Sequence, residues 1–274
     1  MVRNTLRHLR KRGVRICTFY GFSTENWSRS DEEISDIFNA MERTAKGFRA
    51  KAVEENVRVR ILGDLDDDRI PSTLREALRK LEKDTGGRGA GGRRAGDKRR
   101  NEHAHDRRNW QEHNHTTTGS SAHDHKTTDS HNHTTRLAPT VTPTRTHITL
   151  CIAVNYGGRT DIVSASRRMA EMVQSGELSP EDIDQDTFGK YLGTSGVPNP
   201  DLIVRTGGEQ RVSNFLLWDL AYSELFFTNV LWPDFGPNNA DDALAWYTGV
   251  DRRFGGRRRP HSPVDTSGSD SVTD

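Results

Sequence analysis

Long apolar runs are missing from this chain. No stretch of about 18 apolar residues occurs in it, and no apolar segment follows the basic opening Met1-Val-Arg-Asn-Thr-Leu-Arg7. Neither a membrane-spanning helix nor a secretory signal is therefore predicted, and the expected location is cytoplasmic. Cysteine is scarce as well. Cys17 and Cys151 are the only two, both lie in strand-like apolar runs, and neither has CxxC or CxxH spacing. That excludes a disulfide framework and a zinc ribbon, and the pair reads as buried reduced thiols. Apolar residues make up only 32% of the 274 residues, below the globular norm, so part of the chain is expected to lie outside any core. Basic clusters lack interleaved aromatics apart from Trp110, which argues against nucleic acid as a partner.

The shortage of apolar residues is local. From Gly87 to Thr146 the chain is almost wholly Gly, Arg, His, Asn, Thr and Ser, a composition that buries too little apolar surface to offset ordering entropy. This stretch carries a net charge of +5, so the rest of the chain carries −4 within a total of +1. Nine of the eleven histidines fall between His103 and His147. Eight of them form His-x-His pairs, a pattern open to two readings: a weakly binding polar linker, or a module for zinc, copper or nickel. The expected organisation is one α/β domain from residues 1–86 and 146–256, a disordered Arg/His-rich insertion at 87–145, and a disordered tail at 257–274.

Elsewhere strands and helices alternate. Asn4 to Arg10 reads as a helix and Val14 to Tyr20 as a strand. Ser30-Asp-Glu-Glu33 has capping-box spacing, and Ile34, Ile37, Phe38, Met41 and Ala45 follow at helical intervals. Val57 to Leu62 is a second strand. Pro71 then opens a helix with Leu74, Ala77, Leu78 and Leu81 on one side. Ile148 to Val154 is a third strand, followed by a helix from about Thr160 to Gln174. Asp201 to Val204 is a fourth strand that feeds another helix, and Leu225 to Leu231 resembles a fifth strand. In a parallel α/β sheet, loops at the carboxyl ends of the strands converge on one crevice.

Three such loops carry candidate chemistry. Arg205-Thr-Gly-Gly-Glu-Gln-Arg-Val-Ser-Asn214 places two arginines around a glycine pair, with Ser213 as a helix cap, and reads as a pyrophosphate cradle. Asn155-Tyr-Gly-Gly-Arg159 offers backbone donors and a guanidinium to a phosphate, or is a tight turn. In Gly21 to Arg29, Phe22 and Trp27 either line a cavity or pack inward beside a solvated Arg29. Glu224 is expected about three turns along the helix capped by Ser213, facing either a metal or solvent.

Together these motifs resemble the cis-prenyltransferase family, the undecaprenyl and related polyprenyl diphosphate synthases. Tyr20 to Arg29, Asn155 to Arg159, Arg205 to Trp218, Ala221-Tyr-Ser-Glu224, Leu231-Trp-Pro-Asp-Phe235 and Arg252-Arg-Phe-Gly-Gly256 carry the likeness. The resemblance implies a homodimer built on a central, mostly parallel sheet flanked by helices, with a hydrophobic tunnel and peripheral membrane contact for product release. It implies magnesium-assisted condensation of isopentenyl diphosphate onto an allylic diphosphate with release of pyrophosphate. Arg205, Arg211 and Ser213 would hold isopentenyl diphosphate, and Glu224 would help bind magnesium. Phe22, Ser23, Asn26, Trp27 and Arg29 would lie near the reacting groups, with Asn26 assisting proton removal.

The chain also departs from the family. Its members begin with a strand ending in a Met-Asp-Gly-Asn-like motif that positions magnesium and grips the allylic diphosphate, whereas this sequence opens within the next helix. The first strand and helix are thus expected to be absent, leaving the sheet with a gap or an exposed edge. Little or no incorporation of isopentenyl diphosphate is expected from the chain as it stands. The alternative is a non-catalytic partner subunit of a prenyltransferase complex.

Overall fold

A computed structural model describes residues 2–86 and 147–252 of the protein, and these belong to one unit. The 87–145 insertion with its His-x-His pairs, and the 257–274 tail, lie outside the described residues. Helix α1 spans Val2–Lys11, strand β1 Ile16–Ser23, helix α2 Asp31–Glu54, strand β2 Val57–Leu62 and helix α3 Ser72–Asp84. After the insertion come β3 (Ile148–Tyr156), α4 (Gly158–Gln174), α5 (Gln185–Tyr191), β4 (Leu202–Arg205), β5 (Glu224–Phe227) and α6 (Pro237–Thr248).

The apolar faces read from periodicity are the buried ones. Ser30 caps α2 by accepting the Glu33 N–H at 3.3 Å, which satisfies one of the donors a helix start leaves orphaned. Ile34, Phe38 and Ala45 of α2 then turn inward, with Leu74, Ala77, Leu78 and Leu81 of α3. These two helices pack on one another and on β2. Cys17 is only half-buried where it packs against this core, whereas Cys151 is fully buried as expected. Both are free thiols, and burial pushes them up to about 12 and about 11 respectively.

All the described strands pair in parallel, in the order β1-β3-β2 with a separate β4-β5 ladder. The single central sheet expected from sequence is therefore two ladders among the described residues, because no hydrogen-bonded pairing joins β1 to β4. The β2 edge is closed by side chains of α3 and the residue after it. The Ile61 N–H donates to Glu82 Oε1 at 2.9 Å and the Val59 N–H to Thr85 Oγ1 at 3.0 Å. Unpaired edge amides are thereby satisfied and withheld from a further strand. Burial pushes the Glu82 carboxyl up, opposed by its bond from Ile61 and by Arg60 and Arg79.

Helix α1 is tied to α6. Arg12 donates from two nitrogens to the Asp241 carboxylate at 2.8 and 2.7 Å, and His8 Nε2 lies 2.8 Å from it. Arg12, with His8, holds the Asp241 carboxyl down at about 2. Among the described residues no helix is long and apolar enough to cross a membrane.

Candidate active site

The loop after β1 is a short 3-10 helix, Thr24–Ser28, packed against the core. Phe22 is 1% exposed, with its ring 4.8 Å from Phe38 and 5.0 Å from Trp27. It packs inward, against both rings. Trp27 itself is half-buried. Its indole N–H donates to Asn155 Oδ1 at 2.8 Å, and the Arg69 guanidinium lies 4.1 Å from its ring centroid, within cation–π range. Arg69 is in turn forked onto Asp67 at 2.9 and 2.6 Å, and that pairing holds the Asp67 carboxyl down at about 2. Asn26 is held by the backbone at the start of its turn, with Oδ1 accepting the Ser23 N–H at 2.8 Å. Ser23 is half-buried and Arg29 exposed. Among the described residues Arg29 has no ion-pair partner.

The run from Arg205 departs from its expected form. Residues 206–212 are irregular, 213–218 make turns and bends, and no α-helix follows directly on Ser213. Ser213, Asn214 and Leu216 have φ of 47°, 61° and 47°, which a right-handed helix does not admit. Tertiary packing holds them there. Leu216 is buried, Phe215 stacks on Tyr20 at 4.5 Å, and Trp218 packs on Phe188 at 4.6 Å. Anchors in different directions need a turn, and an apolar run without period does not reveal that. Ser213 therefore caps no helix, and Glu224 does not ride on one: it is the first residue of β5.

The two glycines also serve a different purpose from the one expected. Gly207 and Gly208 have φ of 84° and 80°, a region that favours glycine. Their amides donate to Val230 O and Thr228 O, each at 2.9 Å, so these N–H groups hold the loop onto the segment after β5. These two amides are therefore not free to meet a phosphate. Arg205 is half-buried at the end of β4, and its Nη1 donates to Ser213 Oγ at 3.0 Å. Arg211 is exposed and pairs with Glu209.

The Asn155-Tyr-Gly-Gly-Arg159 loop is a tight strand-to-helix junction. Asn155, at φ 49° and buried, donates to Asp64 O at 3.0 Å and Asp67 Oδ2 at 3.2 Å while accepting from Trp27. The start of α4 is already capped. The Gly158 N–H donates to Asn214 O at 2.7 Å and the Arg159 N–H to Asn214 Oδ1 at 2.8 Å. Backbone donors expected there for a phosphate are thus engaged. The glycines permit this closeness, since a Cβ on Gly157 would overlap Thr24 and one on Gly158 would sit 2.9 Å from the Leu217 amide nitrogen.

Two acids lie beneath this junction. Asp219 is 7% exposed and accepts the Thr194 hydroxyl at 2.9 Å, and Asp161 accepts the Gly193 N–H at 2.7 Å. The second oxygen of each is buried without a hydrogen-bond partner. Burial pushes both carboxyls up, Asp219 to about 6 with Asp161 adding to the rise.

The structure thus brings Arg205, Arg211 and Ser213 onto one loop, and Asn214 ties that loop to the turn bearing Asn26 through Glu25, at 2.6 Å. Glu224 stands apart. It pairs with Leu202, three residues before Arg205 on the ladder, and its carboxylate lies 3.9 Å from Arg252 Nε. Among the described residues no group of three or more His, Cys, Asp or Glu could hold a metal ion. Glu224, already beside a guanidinium, is one ligand at most, so the described residues do not by themselves make a magnesium site. Asn155, Asn214, Glu25 and the Asp67–Arg69 pair were not singled out from sequence. The available signal was asparagine in a turn, since asparagine tolerates the left-handed conformation both amides adopt.

The chain matches the family model described as putative undecaprenyl diphosphate synthase over residues 1–91 and 100–255. It is 34% identical over 256 residues to an isoprenyl transferase of Geobacillus kaustophilus, covering 93% of this chain and 77% of that protein. A ditrans,polycis-undecaprenyl-diphosphate synthase of Escherichia coli is also 34% identical, with 93% and 78% covered. Among solved structures, lavandulyl diphosphate synthase from Lavandula x intermedia, in complex with dimethylallyl diphosphate, superposes with a TM-score of 0.68 at 28% identity, over 93% of this chain and 84% of that one. A probable undecaprenyl diphosphate synthase from Campylobacter jejuni shares the fold with a TM-score of 0.62 at 22% identity, over 93% and 89% of the two chains. With the family's motifs converging at the carboxyl ends of parallel strands, the chain belongs to the undecaprenyl diphosphate synthase family of prenyltransferases.

Proposed function

We propose that this protein is a cis-polyprenyl diphosphate synthase whose Arg205, Arg211 and Ser213 hold isopentenyl diphosphate. The observation that carries this reading is the Arg205–Ser213 pairing at 3.0 Å on a loop that also presents the exposed Arg211. Two guanidinium forks and a hydroxyl match the oxygens of a diphosphate, and the Glu209 partner of Arg211 sits on the surface, where displacement by a multiply charged anion costs little.

In the proposed reaction the C–O bond of the allylic diphosphate breaks and its electron pair leaves with pyrophosphate. The isopentenyl double bond attacks the allylic carbon, and the adjacent carbon loses a proton to form the new cis double bond. Arg205 and Arg211 keep the nucleophile's diphosphate oriented for that attack. Asn26, pinned by the Ser23 N–H, assists the proton's removal, while Trp27 and Arg29 lie toward the allylic group and Ser23 fixes the turn. Glu224 would be one ligand of a divalent metal, which would offset the charge of the leaving diphosphate. Magnesium, a homodimer and peripheral membrane contact for product release belong to the same proposal.

Titration calorimetry with isopentenyl diphosphate tests it. Arg205→Ala and Arg211→Ala are each expected to weaken binding about ten- to hundredfold, the worth of a charge-assisted contact. Unchanged affinity in both variants would remove the assignment. Incorporation of labelled isopentenyl diphosphate, with metal and an allylic primer, reads turnover. Binding without incorporation would give this chain the role of a partner subunit.

A further inference from the structure

Asn214 joins three segments that are far apart in sequence. Its carbonyl accepts the Gly158 N–H at 2.7 Å, its Oδ1 accepts the Arg159 N–H at 2.8 Å, and its Nδ2 donates to Glu25 Oε1 at 2.6 Å. Its backbone is left-handed at φ 61°, and so is that of Ser213 beside it at φ 47°. Ser213, whose hydroxyl accepts from Arg205 at 3.0 Å, is thus the immediate neighbour of this anchor. On the other side, Glu25 directly precedes Asn26 in the 3-10 turn.

Resting on the reading of the site just given, we propose that Asn214, with Glu25 as its counterpart, is a positioning residue that sets the loop bearing Arg211 and Ser213 against the turn bearing Asn26. The chemistry selects an amide. The Arg159 N–H takes an acceptor and the Glu25 carboxylate a donor from the same side chain, and a side chain of this length supplies both only as asparagine. Aspartate caps the start of α4 equally well, since a helix N-terminus favours negative charge, but it sets two carboxylates face to face. Glutamine at position 25 reverses the polarity of the lost bond, donating to the new aspartate.

The experiment compares the full chain with Asn214→Asp and with the double variant Asn214→Asp/Glu25→Gln. Amide hydrogen exchange without ligand is expected to rise about tenfold in Asn214→Asp across both 24–28 and 209–214, with 160–174 unchanged. The double variant is expected to return to the parent rates. Affinity for isopentenyl diphosphate should follow, falling about tenfold and then recovering. The defect in Asn214→Asp should fade as the facing carboxylates protonate below about pH 4. Faster exchange confined to 209–214, or no recovery in the double variant, overturns the coupling. A parent chain that fails to bind isopentenyl diphosphate refutes the functional reading alone, because the exchange measurement decides the coupling without ligand.

Discussion

Replacing Asp219 by asparagine tests the electrostatics under the site most directly. Asp219 is 7% exposed, accepts one hydrogen bond from Thr194, and keeps its second oxygen buried and unpartnered near Asp161. Burial, with the Asp161 charge adding to it, lifts its pKa from 3.8 to about 6. That rise is worth up to about 3 kcal/mol of stability. The sign follows from the direction. A raised carboxyl binds its proton more tightly in the folded state, so the stability it contributes is complete below pH 3.8 and is lost as pH rises through about 6. The amide of the Asp219→Asn variant would keep the acceptor for Thr194 and offer an N–H toward Asp161, and it carries no charge to desolvate. Urea unfolding of parent and Asp219→Asn, measured at several values from about pH 4.5 to 8, follows this group with its coupled neighbour Asp161, because the other carboxyls common to both chains cancel in the difference. The variant should gain on the parent by about 2 kcal/mol across that range, roughly 1 kcal/mol of the full effect being already present at pH 4.5. A difference that stays flat with pH, or a variant that loses ground as pH rises, would refute the reasoning.

Three further outcomes are expected. Glu82→Ala leaves the Ile61 N–H of the β2 edge without its acceptor and should cost about 1–3 kcal/mol, whereas Glu82→Gln should recover most of it; thermal unfolding of the pair distinguishes the two. Gly158→Ala places a Cβ 2.9 Å from the Leu217 amide nitrogen and should destabilise by about 1–3 kcal/mol, read in the same unfolding assay, since backbone on both sides must shift. Cys151, fully buried and raised to about 11 by that burial, should react with a thiol reagent at about pH 8 only on unfolding; its rapid labelling in the native chain would contradict its placement.

Much of the fold was legible because it rests on local patterns. The apolar spacing of α2 and α3 named the residues that are buried, and Ser30 to Glu33 marked the start of α2 to the residue. The apolar strands were found, β2 with its ends correct and the others with ends misplaced by a few residues. Helices α5 and α6 were not anticipated, and the run after Ser213 was read as a helix although Leu216, Phe215 and Trp218 are anchored in separate packing sites. A continuous apolar run carries no period, so its conformation is left to what it packs against. Gly207 and Gly208 were rightly singled out, yet they are there for their backbone angles, and their amides serve the loop itself.

By itself the sequence determined the family, the helical faces, the strand directions implied by helix-linked strands, and the residue types suited to a diphosphate. Those follow from composition, motif and periodicity over a few neighbouring residues. Only the tertiary structure decided which groups remain available: that Asn214 occupies the start of α4, that Phe22 packs inward, and that Glu224 opens β5 beside Arg252. Asn214 and Glu25 lie 189 residues apart. A hydrogen bond across such a distance depends on where every intervening element packs, and no local pattern encodes it.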